Sequence, residues 1–429
     1  MTQFHTLRWR VYSLPPQRTR TTCPRTKYNN MTDIEERQSL LGNVNGESEA
    51  EEPGKQMSAI SDPTRLLHRI VVLIFMCFLG FGELSVIYVV IFAAGALLNR
   101  FWLMEVGRFV FGIGGESLSV AQNTYAVNWF KGKELNLVFG LQLSMARLGS
   151  TVNMNIMGWV YSRVADLIGS KGPSTLGTAL MIGTVFTCFF SLVCALVLGY
   201  LDRRAERILK KEQGKTGEVI KLTDVKDFPL SLWLIFIICV GYYVAIFPFI
   251  GLGQVFFIEK FNFSPAEARA INSVVYIISA PASPILGFLV DKTGRNVIWV
   301  MCAVVTTLAA HMMLAFTFWN PWIAMSLLGV SYSLLACALW PMVAFVVPDH
   351  QLGTAYGFMQ SIQNLGLALI SMAAGAILDN RGYLFLEVFF CACICISLIA
   401  VVVLYLVDFL QGKDEGAVDV TFGLDFRVL

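Results

Sequence analysis

The sequence predicts an all-α protein that crosses a membrane many times, and three observations carry this prediction. Of the 429 residues, 56% are hydrophobic and only 14% are charged. The apolar residues are gathered in long runs that have no polar face to present to water. These runs are continuous rather than alternating, which excludes the strands of a membrane β-barrel. The predicted class is therefore a polytopic α-helical membrane protein.

Ten apolar runs are long enough to span the ~30 Å hydrocarbon core of a bilayer. They are Ile70–Leu98, Leu103–Phe130, Leu135–Tyr161, Leu176–Leu201, Leu230–Phe257, Ala270–Val290, Val297–Trp319, Ile323–Val347, Leu352–Leu378 and Leu384–Leu410. Residues 202–228, between the fourth and fifth runs, contain eight Lys/Arg residues and six Asp/Glu residues. Because basic loops stay on the cytosolic side, we expect this segment and both termini to be cytosolic.

An internal repeat relates the two halves of the chain. At a constant shift of 217 positions, five residues of the third run match five residues of the ninth run, and Gly112 matches Gly329. The matched residues are Leu135, Gly140, Ser144, Leu148 and Gly149 with Leu352, Gly357, Ser361, Leu365 and Gly366. Two parallel halves of this kind are typical of secondary transporters.

The first half is shorter than the second. The start of the first half aligns best with the start of the second half when Pro63 is matched with Pro229, a shift of 166 positions. This shift and the shift of 217 positions differ by the length of two helices and a turn. We therefore predict that about two helices are missing and that Ile70–Leu98 joins the front of one helix to the back of another, with the junction at Glu83. The expected protein has about 10 spans instead of 12.

The predicted organisation has five parts. They are a disordered cytosolic tail at 1–66, a truncated N-terminal helical bundle of about four spans at 67–201, a cytosolic linker at 202–228, a C-terminal six-helix bundle at 229–410 and a cytosolic tail at 411–429. In the first tail, Glu36, Leu40 and Leu41 have the acidic dileucine spacing of lysosomal sorting signals.

Two opposite charges are predicted near the middle of adjacent spans, Glu116 in the second and Arg147 in the third. A charge at that depth costs about 2.5–3.5 kcal/mol on insertion scales, so it normally faces a partner or a watery cavity. One interpretation is a solute site, and the other is that the two charges only neutralise each other.

Enzyme chemistry has little support in the sequence. Nine of the ten cysteines lie in apolar runs, and the four histidines are far apart in sequence, so we expect no metal and no cofactor. Neither a two-His zinc motif nor a G-x-S-x-G motif is present. We therefore expect a protein that is not an enzyme.

Two motifs resemble signatures of the major facilitator superfamily. The segment from Gly287 to Arg295, with Asp291, Lys292 and Gly294, resembles the cytosolic-turn signature, and Arg108-x-x-x-Gly112-x-Gly114 resembles the fourth-helix motif. Longer blocks, among them WFKGKELNLVFGLQLSMAR and QLGTAYGFMQSIQNLG, are similar to a lysosomal branch of that superfamily. The resemblance stops where the two helices are missing, and alternative splicing is the simplest explanation.

That resemblance implies a multi-pass lysosomal membrane protein with the two-bundle fold, which exports dipeptides by uniport with the glycosylated lysosomal membrane protein as its accessory subunit. It also implies a substrate site at Glu116 and Arg147. The chemistry fits, since an amine prefers a carboxylate and a carboxylate prefers a guanidinium. From depth and repeat position, Asn364 and Trp340 are expected in the wall of the site.

The remaining motif residues are expected to be structural. Arg108 is interpreted as a gate or a pair with Glu105, and Asp291 and Arg295 are expected to bind the ends of helices. Two alternatives to dipeptide export remain open. One is a truncated form that binds its partner subunit but does not transport, and the other is a carrier of another small zwitterionic or anionic solute.

Overall fold

A computed structural model describes residues 66–81, 86–131, 134–170, 172–208 and 222–414. This part of the chain contains eleven α-helices and no strand. The helices are α1 (Leu66–Phe81), α2 (Val86–Leu97), α3 (Phe101–Phe130), α4 (Leu135–Ile168), α5 (Pro173–Ile208), α6 (Leu230–Phe261), α7 (Pro265–Thr293), α8 (Asn296–Phe316), α9 (Pro321–Val346), α10 (Leu352–Arg381) and α11 (Tyr383–Asp414). The predicted sorting motif at Glu36, Leu40 and Leu41 and the predicted junction at Glu83 lie outside the described residues.

Six helices of the described chain, α6 to α11, are long and apolar enough to cross a membrane. They coincide with the six spans predicted for the C-terminal bundle. In the first half, α3, α4 and α5 have 30, 34 and 36 residues, and α1 has only 16. Three of the four predicted spans of the first half are thus present as long helices, and two short helices stand in place of the first.

The predicted run Ile70–Leu98 is two helices, α1 and α2, rather than one. Helix α1 packs against α4 and α5, and its repeat equivalent α6 packs in the same way against α10 and α11. Helix α2 packs against α3 and α5, as α8 packs against α9 and α11. Each short helix therefore occupies the place of a different full-length helix of the second half, so the N-terminal bundle is incomplete.

No described helix of the first half corresponds to α7. In the second half, α7 packs along α4 and so joins the two bundles. Helix α10 is the repeat equivalent of α4, and its outer residues Leu365, Leu369 and Met372 are 61%, 58% and 75% exposed. The incomplete bundle therefore leaves an apolar face of α10 uncovered by the described part of the chain.

The contact between α4 and α7 is unusually close. Gly140 of α4 lies against the backbone of α7, since a Cβ there would be 2.4 Å from Ser283 O. Likewise, a Cβ on Gly287 of α7 would be 2.5 Å from Asn136 O on α4. The two helices can approach this closely only because both positions are glycine.

Hydrogen bonds and an ion pair also stabilise the contact between the halves. They lie at the end of the helices that carries the α3–α4 and α7–α8 loops, which is here called the basic end. The Asp291 carboxylate accepts hydrogen bonds from Asn136 N at 3.0 Å, from Asn136 Nδ2 at 2.7 Å and from Leu137 N at 2.7 Å. It thus satisfies N–H groups of the first turn of α4 and places its charge at the positive end of that helix. A Lys131–Asp349 ion pair also joins the halves at this end.

Ser264 and Glu267 have the three-residue spacing of a capping box, and the structure forms this box. Ser264 Oγ accepts from Glu267 N at 3.3 Å, and Glu267 Oε2 accepts from Ser264 N at 2.9 Å, which is a complete capping box at the start of α7. Gly294 ends α7 with a φ of +63°, a conformation that glycine adopts without strain. The signature glycine after Asp291 therefore has a backbone role.

We predict that Gly140→Ala lowers the melting temperature of the purified protein, because the new methyl group collides with the α7 backbone and forces the bundles apart at a penalty of about 1–3 kcal/mol. Differential scanning fluorimetry in detergent measures the effect. Gly158→Ala is the matched control on the same helix, since a Cβ there meets nothing within 4 Å. Equal melting temperatures for the two variants would contradict the close contact.

Candidate functional site

A cavity of about 190 Å³ lies between the two halves of the described chain. It is smaller than the ~300–1,000 Å³ typical for drug-sized ligands, which favours a small solute. Five helices line it, α3 and α4 from the first half and α6, α9 and α10 from the second. The lining residues are Ser119, Gln122, Asn123, Phe139, Gln142, Leu143, Ala146, Arg147, Tyr243, Phe247, Tyr332, Ala336, Trp340, Gln360 and Gln363.

The lining repeats across the two halves. Residues 143 and 146 of α4 and their equivalents 360 and 363 of α10 all line the cavity, and so do Asn123 and its equivalent Trp340. Phe139 and its equivalent Tyr356 stack on each other, with ring centroids 6.5 Å apart. The cavity therefore surrounds the axis that relates the two halves, as expected for a transporter site.

Arg147 is the charged residue of this lining set. Its guanidinium lies over the ring of Tyr332 at 4.7 Å and over the ring of Tyr276 at 5.1 Å. The negative faces of these rings partly offset the removal of the charge from water. Helical rise places Arg147 about 18 Å from the start of α4 at the basic end, in the middle part of a membrane.

Aromatic side chains hold the second wall in place. Trp340 Nε1 donates to the Tyr243 hydroxyl at 2.9 Å, and the Tyr356 hydroxyl donates to Trp340 O at 3.0 Å. The Tyr243 ring stacks on Phe247 with centroids 5.5 Å apart, and the Trp340 ring stacks on Tyr356 at 6.3 Å. These contacts fix the positions of the aromatic rings that the second half contributes to the cavity wall.

Two of the four residues predicted to bind substrate, Arg147 and Trp340, line this cavity together. Glu116 and Asn364 do not belong to its lining. Glu116 is partly exposed, and it lies one helical turn beyond Ser119 on the same face of α3. Asn364 follows Gln363 and is also partly exposed.

The predicted motif residues lie away from the cavity. Arg108 is exposed, and its guanidinium lies over the Phe92 ring of α2 at 5.8 Å, while no ion pair joins it to Glu105 in the described chain. Asp291 binds the start of α4, and Lys292 and Arg295 are exposed beside it. These positions place the signature segment at the contact between the bundles.

Several lining residues were not predicted, notably Ser119, Gln122, Asn123 and Gln142. A helical spacing would have found them. On α3, Gln122 and Asn123 follow Ser119 by three and four residues, and on α4, Phe139, Leu143 and Arg147 follow each other in steps of four. The polar stripe of α3 therefore marks the cavity face of that helix.

A larger cavity of about 490 Å³ lies wholly within the second half, between α6, α8 and α11. Glu387 at its edge makes a buried 2.8 Å contact with His311, and Lys260 donates to Leu314 O and Ala315 O. Because this space does not lie between the halves, it lacks the arrangement expected for a solute path.

Comparisons with known proteins point to one family. The sequence matches the Major Facilitator Superfamily over residues 64–371 and 253–419. It is 67% identical over 442 residues to a Danio rerio protein named lysosomal dipeptide transporter MFSD1, covering 88% of this chain and 96% of the relative. The Homo sapiens protein of that name is 62% identical over 442 residues, covering 88% and 95%. A Bos taurus protein of that name is 76% identical over 340 residues, covering 79% and 71%.

The alignment lengths agree with the prediction that about two helices are missing from this chain. The alignment with the Danio rerio relative runs over 442 residues and uses only 88% of this 429-residue chain, so that relative contains segments without a counterpart here.

Solved structures show the same fold. The xylose symporter XylE, bound to 6-bromo-6-deoxy-D-glucose, has a TM-score of 0.58 at 13% identity, covering 79% of this chain and 85% of that one. The transporter FucP in its outward conformation has a TM-score of 0.56 at 13% identity, covering 81% and 88%. The chain belongs to the Major Facilitator Superfamily, within the group of its MFSD1 relatives.

Proposed function

We propose that this protein is a lysosomal membrane transporter that exports dipeptides by uniport, not an enzyme. The observation that carries the proposal is the position of Arg147 in a cavity between the two halves, flanked by aromatic rings. A guanidinium in such a place binds a carboxylate in a planar, two-point geometry. The names of the relatives, lysosomal dipeptide transporter, support the substrate and the compartment.

The dipeptide amine has two candidate partners. Glu116 lies one turn beyond the cavity along the polar face of α3, so it is the partner for a ligand that extends from Arg147 away from the basic end. The aromatic faces of Tyr243 and Trp340 are the second partner, since an ammonium group is attracted to such faces. Because each group accepts any dipeptide backbone, the side chains of the substrate need not be recognised.

Transport by alternating access requires the basic end to open. The contacts of Asp291 with α4, together with the Lys131–Asp349 pair, hold that end closed in the described state. We propose that these contacts break when the halves move, so that the cavity faces the other side. The proposed orientation places the basic end and both termini in the cytosol.

A carrier of another small anionic solute is the second candidate. It is favoured by the absence of Glu116 from the lining of the cavity, which leaves Arg147 as the charged lining residue among those described. A non-transporting form is the third candidate, because the incomplete first bundle leaves part of α10 uncovered. Both are outcomes of the uptake experiment.

Uptake of radiolabelled dialanine into proteoliposomes tests the proposal. We expect uptake by the purified protein, a loss of at least tenfold in Arg147→Gln because the carboxylate loses its charged partner, and a smaller loss in Glu116→Gln. Ser150→Ala is the control, since its hydroxyl bonds within α4 at Ala146 O. Uptake of a monocarboxylate but not of dialanine supports the anion carrier, and no uptake of either supports the non-transporting form.

The accessory subunit is tested by co-purification with the glycosylated lysosomal membrane protein. The chain has only two N-glycosylation sequons, at Asn30 and Asn262, and Pro265 follows the second closely. A glycosylated partner would shield the protein from lysosomal proteases, which glycans at two sequons alone would not do. Failure of the two full-length proteins to co-purify would remove this part of the proposal.

Opening of the basic end is measurable at a native cysteine. Cys337 is fully buried and its Sγ would lie 3.2 Å from a Cβ on Gly140, so it faces α4 across the contact between the halves. We expect saturating dialanine to increase the rate of N-ethylmaleimide labelling at Cys337, followed by mass spectrometry. Cys393, which is buried within the second bundle, is the control and should not change. Unchanged labelling of Cys337 would count against alternating access.

Lysosomal sorting is predicted to depend on the acidic dileucine. Replacing Leu40 and Leu41 together by alanine should move the protein from lysosomes to the cell surface, because the receptor-read apolar pair is lost. Immunofluorescence against a lysosomal marker measures the shift. Replacement of Leu66 and Leu67 by alanine is the control, and retention of the Leu40/Leu41 variant in lysosomes would exclude the motif as the signal.

A further inference from the structure

Carboxamide side chains dominate the polar lining of the cavity between the halves. They come from α3, α4 and α10, namely Gln122, Asn123, Gln142, Gln360 and Gln363. A carboxamide both donates and accepts hydrogen bonds and carries no charge. A set of such groups beside one guanidinium is therefore complementary to a ligand that combines an uncharged amide with a carboxylate.

Gln142 differs from its neighbours in this set. Gln122 Nε2 donates to Met76 O at 3.0 Å, and Gln363 Oε1 accepts from Cys239 Sγ at 3.4 Å, so both are held by the protein. Gln142 is only 7% exposed, and its Nε2 has no hydrogen-bond acceptor among the described residues. A buried donor of this kind is costly to leave unpaired, and in a cavity wall a ligand can supply the acceptor.

The spacing along α4 defines the shape of that ligand. Gln142 and Arg147 are five residues apart, which is a rise of about 7.5 Å along the helix. Two residues of extended chain span about 7 Å. Both side chains line the same cavity, so a dipeptide that extends from Arg147 toward the basic end has its peptide bond between the levels of Arg147 and Gln142.

We propose that Gln142 Nε2 donates a hydrogen bond to the carbonyl oxygen of the substrate's peptide bond, which makes Gln142 the residue that selects dipeptides over free amino acids. This inference rests on the proposed dipeptide transport. A free amino acid has a carboxylate for Arg147 but no amide, so it leaves the Gln142 donor buried without a partner. A site built to pair with a polar group discriminates strongly against ligands that lack it.

Two ligands of equal length test this role. Glycylglycine and 5-aminopentanoate both carry an amine and a carboxylate at the same separation, but two methylene groups replace the amide in 5-aminopentanoate. Affinities are measured by isothermal titration calorimetry on the full-length protein in nanodiscs. We expect wild-type protein to bind glycylglycine at least tenfold more tightly, because only glycylglycine accepts the hydrogen bond.

Gln142→Met is the informative variant, because methionine keeps the length of the side chain and removes the donor. We expect it to weaken glycylglycine binding about tenfold and to leave 5-aminopentanoate binding unchanged, so that the discrimination disappears. Ser150→Ala on the same helix should retain the discrimination. An equal loss for both ligands, or no loss for either, would overturn the role of Gln142.

The comparison of the two ligands on wild-type protein tests the role of Gln142 even when the Gln142→Met variant does not fold. Equal affinities of wild-type protein for the two ligands would overturn the inference while leaving dipeptide transport in place. Failure of folded wild-type protein to bind glycylglycine and dialanine would instead overturn the proposed function itself, and this inference with it.

Discussion

The burial of a positive charge in the middle of an apolar protein is the constraint on which the rest of the site depends. A guanidinium at that depth costs about 2.5–3.5 kcal/mol on insertion scales and stays charged under all physiological conditions. The structure places the Arg147 guanidinium over two tyrosine rings and beside a cavity. The aromatic residues of the second half and the polar stripe of α3 line the same cavity as this charge.

The contact between α4 and α7 gives the cavity its closed end. Two glycines allow the backbones to approach, and Asp291 completes the hydrogen bonds of the first turn of α4. Arg147 lies on the same helix about three turns further along. We propose that a change at the signature segment is transmitted along this helix to the cavity, which would give a motif remote from the cavity a part in transport.

The incomplete first bundle sets this chain apart from a symmetric two-bundle protein. Helices α1 and α2 keep the packing partners of two full-length helices, and the described cavity is present without the missing pair. The uncovered face of α10 lies on the side where an equivalent of α7 would pack. We therefore propose that the missing helices affect the integrity of the solute path rather than the formation of the site.

Much of this architecture could be predicted from the sequence. Continuous apolar runs predict the helices of the second half, and the repeat relates them to those of the first half. Local sequence patterns do not predict the structure correctly where packing between helices determines it. Proline commonly breaks a helix, yet Pro248, Pro281 and Pro284 lie inside the unbroken helices α6 and α7, as membrane helices allow when their neighbours support the backbone.

The candidate site could likewise be predicted only in part. The depth of a residue along a helix follows from counting residues, and this count led to Arg147 and Trp340, which line one cavity. Whether Glu116 also lines it depends on the tilt of α3 and the position of the halves, which no local pattern encodes. Gln142 gave no signal as a single residue, since a lone glutamine in a membrane helix acquires meaning only when its missing hydrogen-bond partner is seen.

The most direct test of the account is an electron cryomicroscopy structure of the protein with bound dialanine. The account predicts ligand density between α4 and α9, with the carboxylate within about 3 Å of the Arg147 guanidinium, the distance of a charge-assisted hydrogen bond. Density in a different cavity, or a carboxylate turned away from Arg147, would contradict it.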